Sequence, residues 1–293
     1  MIHPTDAATW AALDALRAPA PPEHLRIEAA GIPFHVLAWG DAAASPLVLM
    51  HGVTASAGGW WRIGPALAAA GFRVIAPDLP GHGLTGSWRG HVLFRDNATD
   101  LAALARAAFP ATPDGDVCVV GHSWGAMTAA WFPGVGYKPR RLVLVDPPTI
   151  PVAIIALLLQ NPDDRHYDDV AEAMAAIGGQ CPTWAYGDVA AKALSLTQFD
   201  EPAVRAVLTE NGDWDGGLAA FADPAAANVS TWLIRADPAA GGYIPDAAVP
   251  ALEARLGPAR ITTITGAPHS PHRTHPIETT LALLRALAVD PAG

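Results

Sequence analysis

Five residues, Gly121-His122-Ser123-Trp124-Gly125, stand between the apolar stretch 117–120 and an alanine-rich stretch that begins at Ala126. A chain passing from strand to helix in so few residues must turn sharply, and the positions two before and two after the tip have room only for small residues. Gly121 and Gly125 meet that need and leave Ser123 at the tip. The helix that follows points its positive dipole end and its first N–H groups at the same place, where a developing anion would be held. This context, a buried strand before and a helix after, distinguishes the segment from a chance G-x-S-x-G and predicts a nucleophile elbow on a largely parallel sheet.

The rest of the chain extends that expectation. Residues 25–30 and 33–38 flank Gly31 as a hairpin, and 46–50 and 72–76 read as buried strands separated by a helix over 61–70 that ends at Gly71. Trp10, Leu13 and Leu16 mark a short N-terminal helix, and Leu101, Leu104, Ala105 and Ala108 a later one. Residues 117–120 and 141–145 add two further strands, and the strand–helix alternation then stops. Val170, Met174 and Ile177 predict one helix, and Val204, Val207 and Leu208, following Pro202, predict another. The alternation resumes with strands at 231–234 and 260–264 and helices at 247–256 and 277–289. The expected fold is therefore α/β, a mostly parallel central sheet flanked by helices, with residues 1–146 and 229–293 as core and 147–228 as a helical cap insertion. Ligands of such sheets bind beyond the carboxyl ends of the strands, and His51, Ser123, Asp237 and His269 all follow predicted strands.

Composition narrows the partners. A formal net charge of -10 argues against binding nucleic acid or an anionic membrane. The most apolar stretch, 150–159, is interrupted by Pro151 and is about half the length of a membrane span, so none is expected. Residues 1–6 lack the basic start and apolar run of a secretory signal, which predicts a cytoplasmic protein. In that setting Cys118, inside a strand, and Cys181, in a distant Gly/Pro-rich segment, are expected to remain thiols.

A serine hydroxyl is a weak nucleophile near neutral pH and needs an imidazole base held by a carboxylate. Four segments supply candidates: His51-Gly52-Val53, the turn from Pro77 through Asp78 to His82-Gly83, the elbow, and Gly266-Ala267-Pro268-His269-Ser270-Pro271-His272-Arg273. Together they resemble the α/β-hydrolase family, in particular its serine-nucleophile, esterase-like members with a helical cap, over nearly the whole chain. The resemblance implies the chain order serine, acid, histidine. His269 is then the base, with His272 the local competitor and Pro268 a departure from the usual glycine. A metal site at His269, His272 and His275 is set aside because the segment matches a triad loop and no carboxylate motif accompanies it. No metal or cofactor is expected.

For the acid, Asp237 is expected from its place after the first strand beyond the insertion, with Asp146, after the strand that follows the elbow, as the alternative. The resemblance assigns the oxyanion donors to the backbone N–H groups of Val53 and Trp124, and bracing roles to His51, Asp78 and His82. Aspartate-nucleophile relatives such as epoxide hydrolases use a route closed to Ser123. The expected substrate is a small neutral molecule, a carboxylic ester or lactone with a small to medium acyl group, and no cationic cluster is expected to suit a polyanionic carrier. Ile154, Ile155, Leu157, Leu158, Leu159, Trp184, Tyr186, Phe199 and Trp214 supply apolar surface for the cap. A slow-turnover ligand receptor, a lyase and a cofactor-free peroxidase remain alternatives on the same scaffold.

Overall fold

Alternate side chains of the central strands leave for opposite faces of one sheet, and both faces are buried. In β3 (Ser45–Met50) Val48 and Met50 join one apolar core while Leu47 and Leu49 join the other. In β5 (Cys118–His122) Val119 opposes Cys118 and Val120, and in β6 (Arg141–Val145) Leu142 and Leu144 oppose Val143 and Val145. Burial on both sides is why these strands read as unbroken apolar runs.

The computed structural model describes residues 6–86, 90–148, 165–212, 214 and 228–288. Five further strands complete the sheet: β1 (Glu23–Ala29), β2 (Ile32–Trp39), β4 (Phe72–Pro77), β7 (Thr231–Ala236) and β8 (Ile261–Ile264). Their order is β1-β2-β4-β3-β5-β6-β7-β8. The β1/β2 and β2/β4 pairs are antiparallel and the others parallel. The expected hairpin is β1–β2, closed by Ala30 and Gly31, both at positive φ (50° and 71°), the backbone of a two-residue primed turn.

The helices α1 (Ala7–Ala15), α2 (Ile63–Ala69), α3 (Phe94–Ala108) and α4 (Trp124–Ala130) come from the first half. Between β6 and β7 lie α5 (Val170–Gln180), α6 (Tyr186–Leu196) and α7 (Glu201–Glu210), and α8 (Val249–Leu256), α9 (Pro271–Thr274) and α10 (Pro276–Leu287) follow. Residues of α1, α2 and α10 fill the core on one face, and residues of α3, α4 and the insertion fill the other.

One local reading is corrected and one helix is added. The N-terminal helix forms and packs through Ala12, Leu13 and Leu16, but Trp10, expected on the same face, is exposed. Helix α6 is not among the helices expected from the sequence; it buries Val189, Ala193 and Leu196 at helical spacing, with Asp188, Lys192 and Ser195 beside them. Cys118 is buried in β5, Cys181 sits at the end of α5, and no disulfide joins them. Among the described residues no helix is long and apolar enough to cross a membrane. Ile154, Ile155, Leu157, Leu158 and Leu159 lie outside the described residues.

Candidate active site

The turn after β5 is as tight as its glycines require. A Cβ on Gly121 would stand 2.3 Å from the Gly125 carbonyl oxygen, and one on Gly125 would stand 2.5 Å from that of His51. Ser123 takes φ 54° and ψ -123°, a conformation that L side chains rarely adopt and that is found at constrained sites. It is held there by its own N–H donating to the Val145 carbonyl (3.0 Å) and by its carbonyl accepting from Ala126 and Met127 (2.9 and 3.0 Å).

The hydroxyl of Ser123 meets His269: Oγ lies 2.8 Å from Nε2. The other ring nitrogen, Nδ1, lies 2.7 Å from Asp146 Oδ2. A carboxylate only accepts, so Nδ1 carries the proton and Nε2 is left to accept the serine O–H. Asp146 is fully buried at φ 43°, one residue beyond β6. Its Oδ1 also accepts from the Ala236 N–H (3.0 Å), and its Oδ2 from the Tyr243 N–H (3.1 Å). The Tyr243 ring packs edge-on against His269, centroids 4.3 Å apart.

The expected partnership of Asp237 with His269 does not form. Asp237 Oδ1 accepts from the Ala239 N–H (2.9 Å) and Oδ2 from the Gly266 N–H (2.8 Å), so its carboxylate staples the loop after β7 to the loop after β8. Those backbone donors, Gly266 first, hold its pKa below the ordinary carboxylate value. The physical reason is local. Asp237-Pro238-Ala239 offers an N–H two residues on, the geometry of an Asx turn. Asp146-Pro147-Pro148 offers none there, because proline has no N–H, so the Asp146 carboxylate remains available to distant donors.

His272, the competitor for the base, is buried against His122 and Trp60, with ring centroids 4.6 and 5.0 Å away. His275 Nδ1 lies 2.9 Å from Thr274 Oγ1. His122 donates from Nε2 to the His269 carbonyl (2.8 Å), which anchors the loop just after Pro268. His51 donates from Nδ1 to the Gly52 carbonyl (2.8 Å) and accepts the Leu79 N–H at Nε2 (3.0 Å). Asp78 accepts from the Ala57 and Leu84 N–H groups (2.8 and 2.9 Å).

Burial dominates the titration of this cluster. It pushes the pKa of His51, His122 and His272 down and takes His82 to about 3. Each imidazole is neutral in the folded protein but protonates near 6.5 when unfolded. Folded values lie below unfolded ones, so the unfolded chain binds more protons and the stabilisation present above pH ~6.5 is lost as pH falls toward ~3. The melting temperature should therefore decline from pH 7 to pH 5, above the range where carboxylates titrate, with proton uptake on unfolding. A flat melting temperature with no proton uptake over that interval would overturn this account.

Ser123 and His269 open on a cavity of about 320 Å³. Val53, Thr54 and Tyr243 line it from the core, and Ile177, Trp184, Leu208 and Trp214 from the insertion. Val53 follows the His51-Gly52 turn; Trp124 heads α4 immediately after Ser123, where a first-turn N–H has no helical acceptor. Of the other aromatic residues expected in the insertion, Phe199 is buried beside His166 and Tyr186 is exposed. Two cationic residues, Lys192 and Arg273, line the cavity. Arg273 closes the segment 266–273, whereas neither Lys192 nor Tyr243 is marked by a motif. Asp188, Lys192 and Ser195, spaced four and three apart, share one face of α6, and of the three Lys192 lines the cavity.

The model of the alpha/beta hydrolase family matches residues 47–283. Lipase LipV of Mycobacterium tuberculosis is 30% identical over 244 residues, covering 77% of this chain and 87% of that protein. Epoxide hydrolase 3 of Siraitia grosvenorii is 31% identical over 120 residues, 41% of this chain and 36% of that protein. Among solved structures, E-2-(acetamidomethylene)succinate hydrolase superposes with a TM-score of 0.74 at 20% identity, covering 91% of this chain and 99% of that one.

Proposed function

From the premise that this chain belongs to the alpha/beta hydrolase family, we propose that it is a serine hydrolase of carboxylic esters or lactones, with residues 147–228 as its cap. The observation that carries the reading is the hydrogen-bonded series Ser123–His269–Asp146, at 2.8 and 2.7 Å, opening on the cavity. His269 takes the Ser123 proton as Oγ attacks the ester carbonyl, and Asp146 holds the imidazole in the required tautomer and stabilises the imidazolium. The Val53 and Trp124 N–H groups receive the oxyanion. His269 then protonates the leaving alcohol, and water repeats the sequence on the acyl-enzyme. Epoxide opening through an alkyl-enzyme needs a carboxylate nucleophile, and Ser123 supplies a hydroxyl.

Hydrolysis of a panel of neutral esters, run beside cyanohydrin cleavage, peroxide-dependent halogenation and fluorophosphonate labelling, tests the proposal. Steady ester turnover with stoichiometric label on Ser123 is expected. Labelling elsewhere, or faster cyanohydrin cleavage or halogenation than hydrolysis, would overturn it; a single slow turnover would make the protein a receptor.

A second reading, an ester that also carries a carboxylate, is favoured by Lys192 and Arg273 on the cavity wall. The neutral and half-acid esters of one nitrophenol separate the two by their kcat/KM. The aromatic wall gives a further expected result. Trp184 lines the cavity and its ring lies 4.6 Å from the Arg273 guanidinium carbon. Trp184→Ala should change the ranking of short and long acyl esters by roughly tenfold, within the range that pocket contacts confer. A proportional loss across all esters with a lowered melting temperature would instead make Trp184 a packing residue.

A further inference from the structure

Helix α6 lies outside the sheet, yet one of its faces is bonded to the segment that follows β3. Asp188 accepts from the Trp61 indole N–H (2.9 Å) and pairs with Arg62. Ser195 Oγ lies 2.8 Å from Ser56 Oγ. Lys192 Nζ donates to the Thr54 carbonyl (3.1 Å) and to Thr54 Oγ1 (2.8 Å), in buried surroundings. The Thr54 hydroxyl in turn donates to the Val53 carbonyl (2.7 Å). Three polar side chains at helical spacing thus hold residues 54–62 from the insertion.

Thr54 is the strained point of that segment. Residues 52–55 form a turn closed by the Ala55 N–H on the Gly52 carbonyl (3.2 Å), and Thr54, third in the turn, has φ 56°. A positive φ at the third turn position belongs to glycine or asparagine, and a β-branched residue there is an outlier. Strain of this kind persists only where the surroundings over-determine the backbone. Here Lys192 bonds both the carbonyl and the hydroxyl of the strained residue, and the hydroxyl bonds the carbonyl before it. The residue so held is adjacent to Val53, whose N–H is the proposed oxyanion donor.

We propose that Lys192 is a positioning residue, which from the cap holds the 52–55 turn in the strained conformation that aims the Val53 N–H at the oxyanion. This rests on the serine-hydrolase reading above. It makes the insertion part of the apparatus that stabilises the transition state as well as a lid over it. The donor matters only once charge develops on the carbonyl oxygen, so losing the clamp should lower kcat more than it raises KM.

Lys192→Met should lower kcat by on the order of 10² with KM changed less than about threefold, as for an oxyanion donor moved out of place. Affinity for a trifluoromethyl ketone, which forms a tetrahedral adduct with Ser123, should fall in step with kcat/KM. Adding Thr54→Gly to that variant should recover at least about tenfold of the lost kcat, because glycine takes the positive φ without a clamp. No recovery would mean that Lys192 acts through its charge or through cap stability, and would overturn the proposal. An unchanged kcat in Lys192→Met would overturn it equally. Should that variant not fold, Thr54→Val carries the test, since it removes the hydroxyl link and keeps the side-chain shape. Its kcat should fall about tenfold with KM unchanged, and an unaltered kcat would sink the idea. Absence of ester turnover and of Ser123 labelling in the unmodified protein would instead reject the serine-hydrolase reading beneath it.

Discussion

Ser123→Ala is expected to lower kcat on an activated ester by about 10³ to 10⁶, with the melting temperature nearly unchanged. The size follows from the covalent step: without Oγ no acyl-enzyme forms, and residual rate comes from whatever the oxyanion donors and the cavity confer on attack by water. Retention of the fold follows from the turn. Its tightness is set by Gly121 and Gly125, whose close contacts with Gly125 and His51 are backbone contacts. The Ser123 N–H bond to Val145 also survives the substitution. Alanine would occupy the same unusual φ as serine. Steady-state kinetics with fluorophosphonate labelling and thermal unfolding of the variant check this; stoichiometric labelling of another active-site serine, or retained turnover, would remove Ser123 from the nucleophile's role.

Asp146→Asn is expected to lower kcat by about 10⁴, and Asp237→Asn by less than about threefold. Asp146 accepts three N–H groups, from Ala236, Tyr243 and His269. An asparagine must turn its NH₂ toward at least one of these donors. Facing His269, it favours the tautomer with the proton on Nε2, which cannot accept from Ser123. Facing Ala236, it leaves a buried N–H unsatisfied, so the melting temperature should fall as well. Asp237→Asn keeps one acceptor oxygen for the pair of loop donors and leaves His269 untouched; its effect should appear in stability. Turnover, melting temperature and the pH dependence of both variants decide the matter. An active Asp146→Asn protein beside a folded, inactive Asp237→Asn protein would return the acid role to Asp237.

Much of this architecture is written in local sequence. Strands buried on both faces announce themselves as short apolar runs, so β3, β5 and β6 are legible within a residue or two. The elbow is legible because steric crowding confines it to glycines two either side of Ser123. His269 is legible because its loop keeps a recognisable order of residues despite Pro268. Helix α6 is less legible, since its short apolar stripe of Val189, Ala193 and Leu196 shares the buried side with Asp188, Lys192 and Ser195, whose partners lie far away in the chain.

The acid shows where local information stops. Asp146 and Asp237 each stand one residue beyond a strand, and chain order alone favours Asp237. The two differ in which N–H groups reach their carboxylates. The donor two residues after Asp237 belongs to Ala239, whereas Pro148 leaves Asp146 without one, a distinction visible in sequence only once backbone donors are counted. That His269 then arrives at Asp146, 123 residues away, and Lys192 at Thr54, 138 residues away, depends on how the loops and the insertion pack over the strand ends. Apolar periodicity and steric limits act between neighbours, so residue order alone suffices to specify the strands and the sharp turn with Ser123 at its tip. Hydrogen bonds between distant side chains exist only after the sheet is assembled, and assembly alone brings Asp146 to His269 and Lys192 to Thr54.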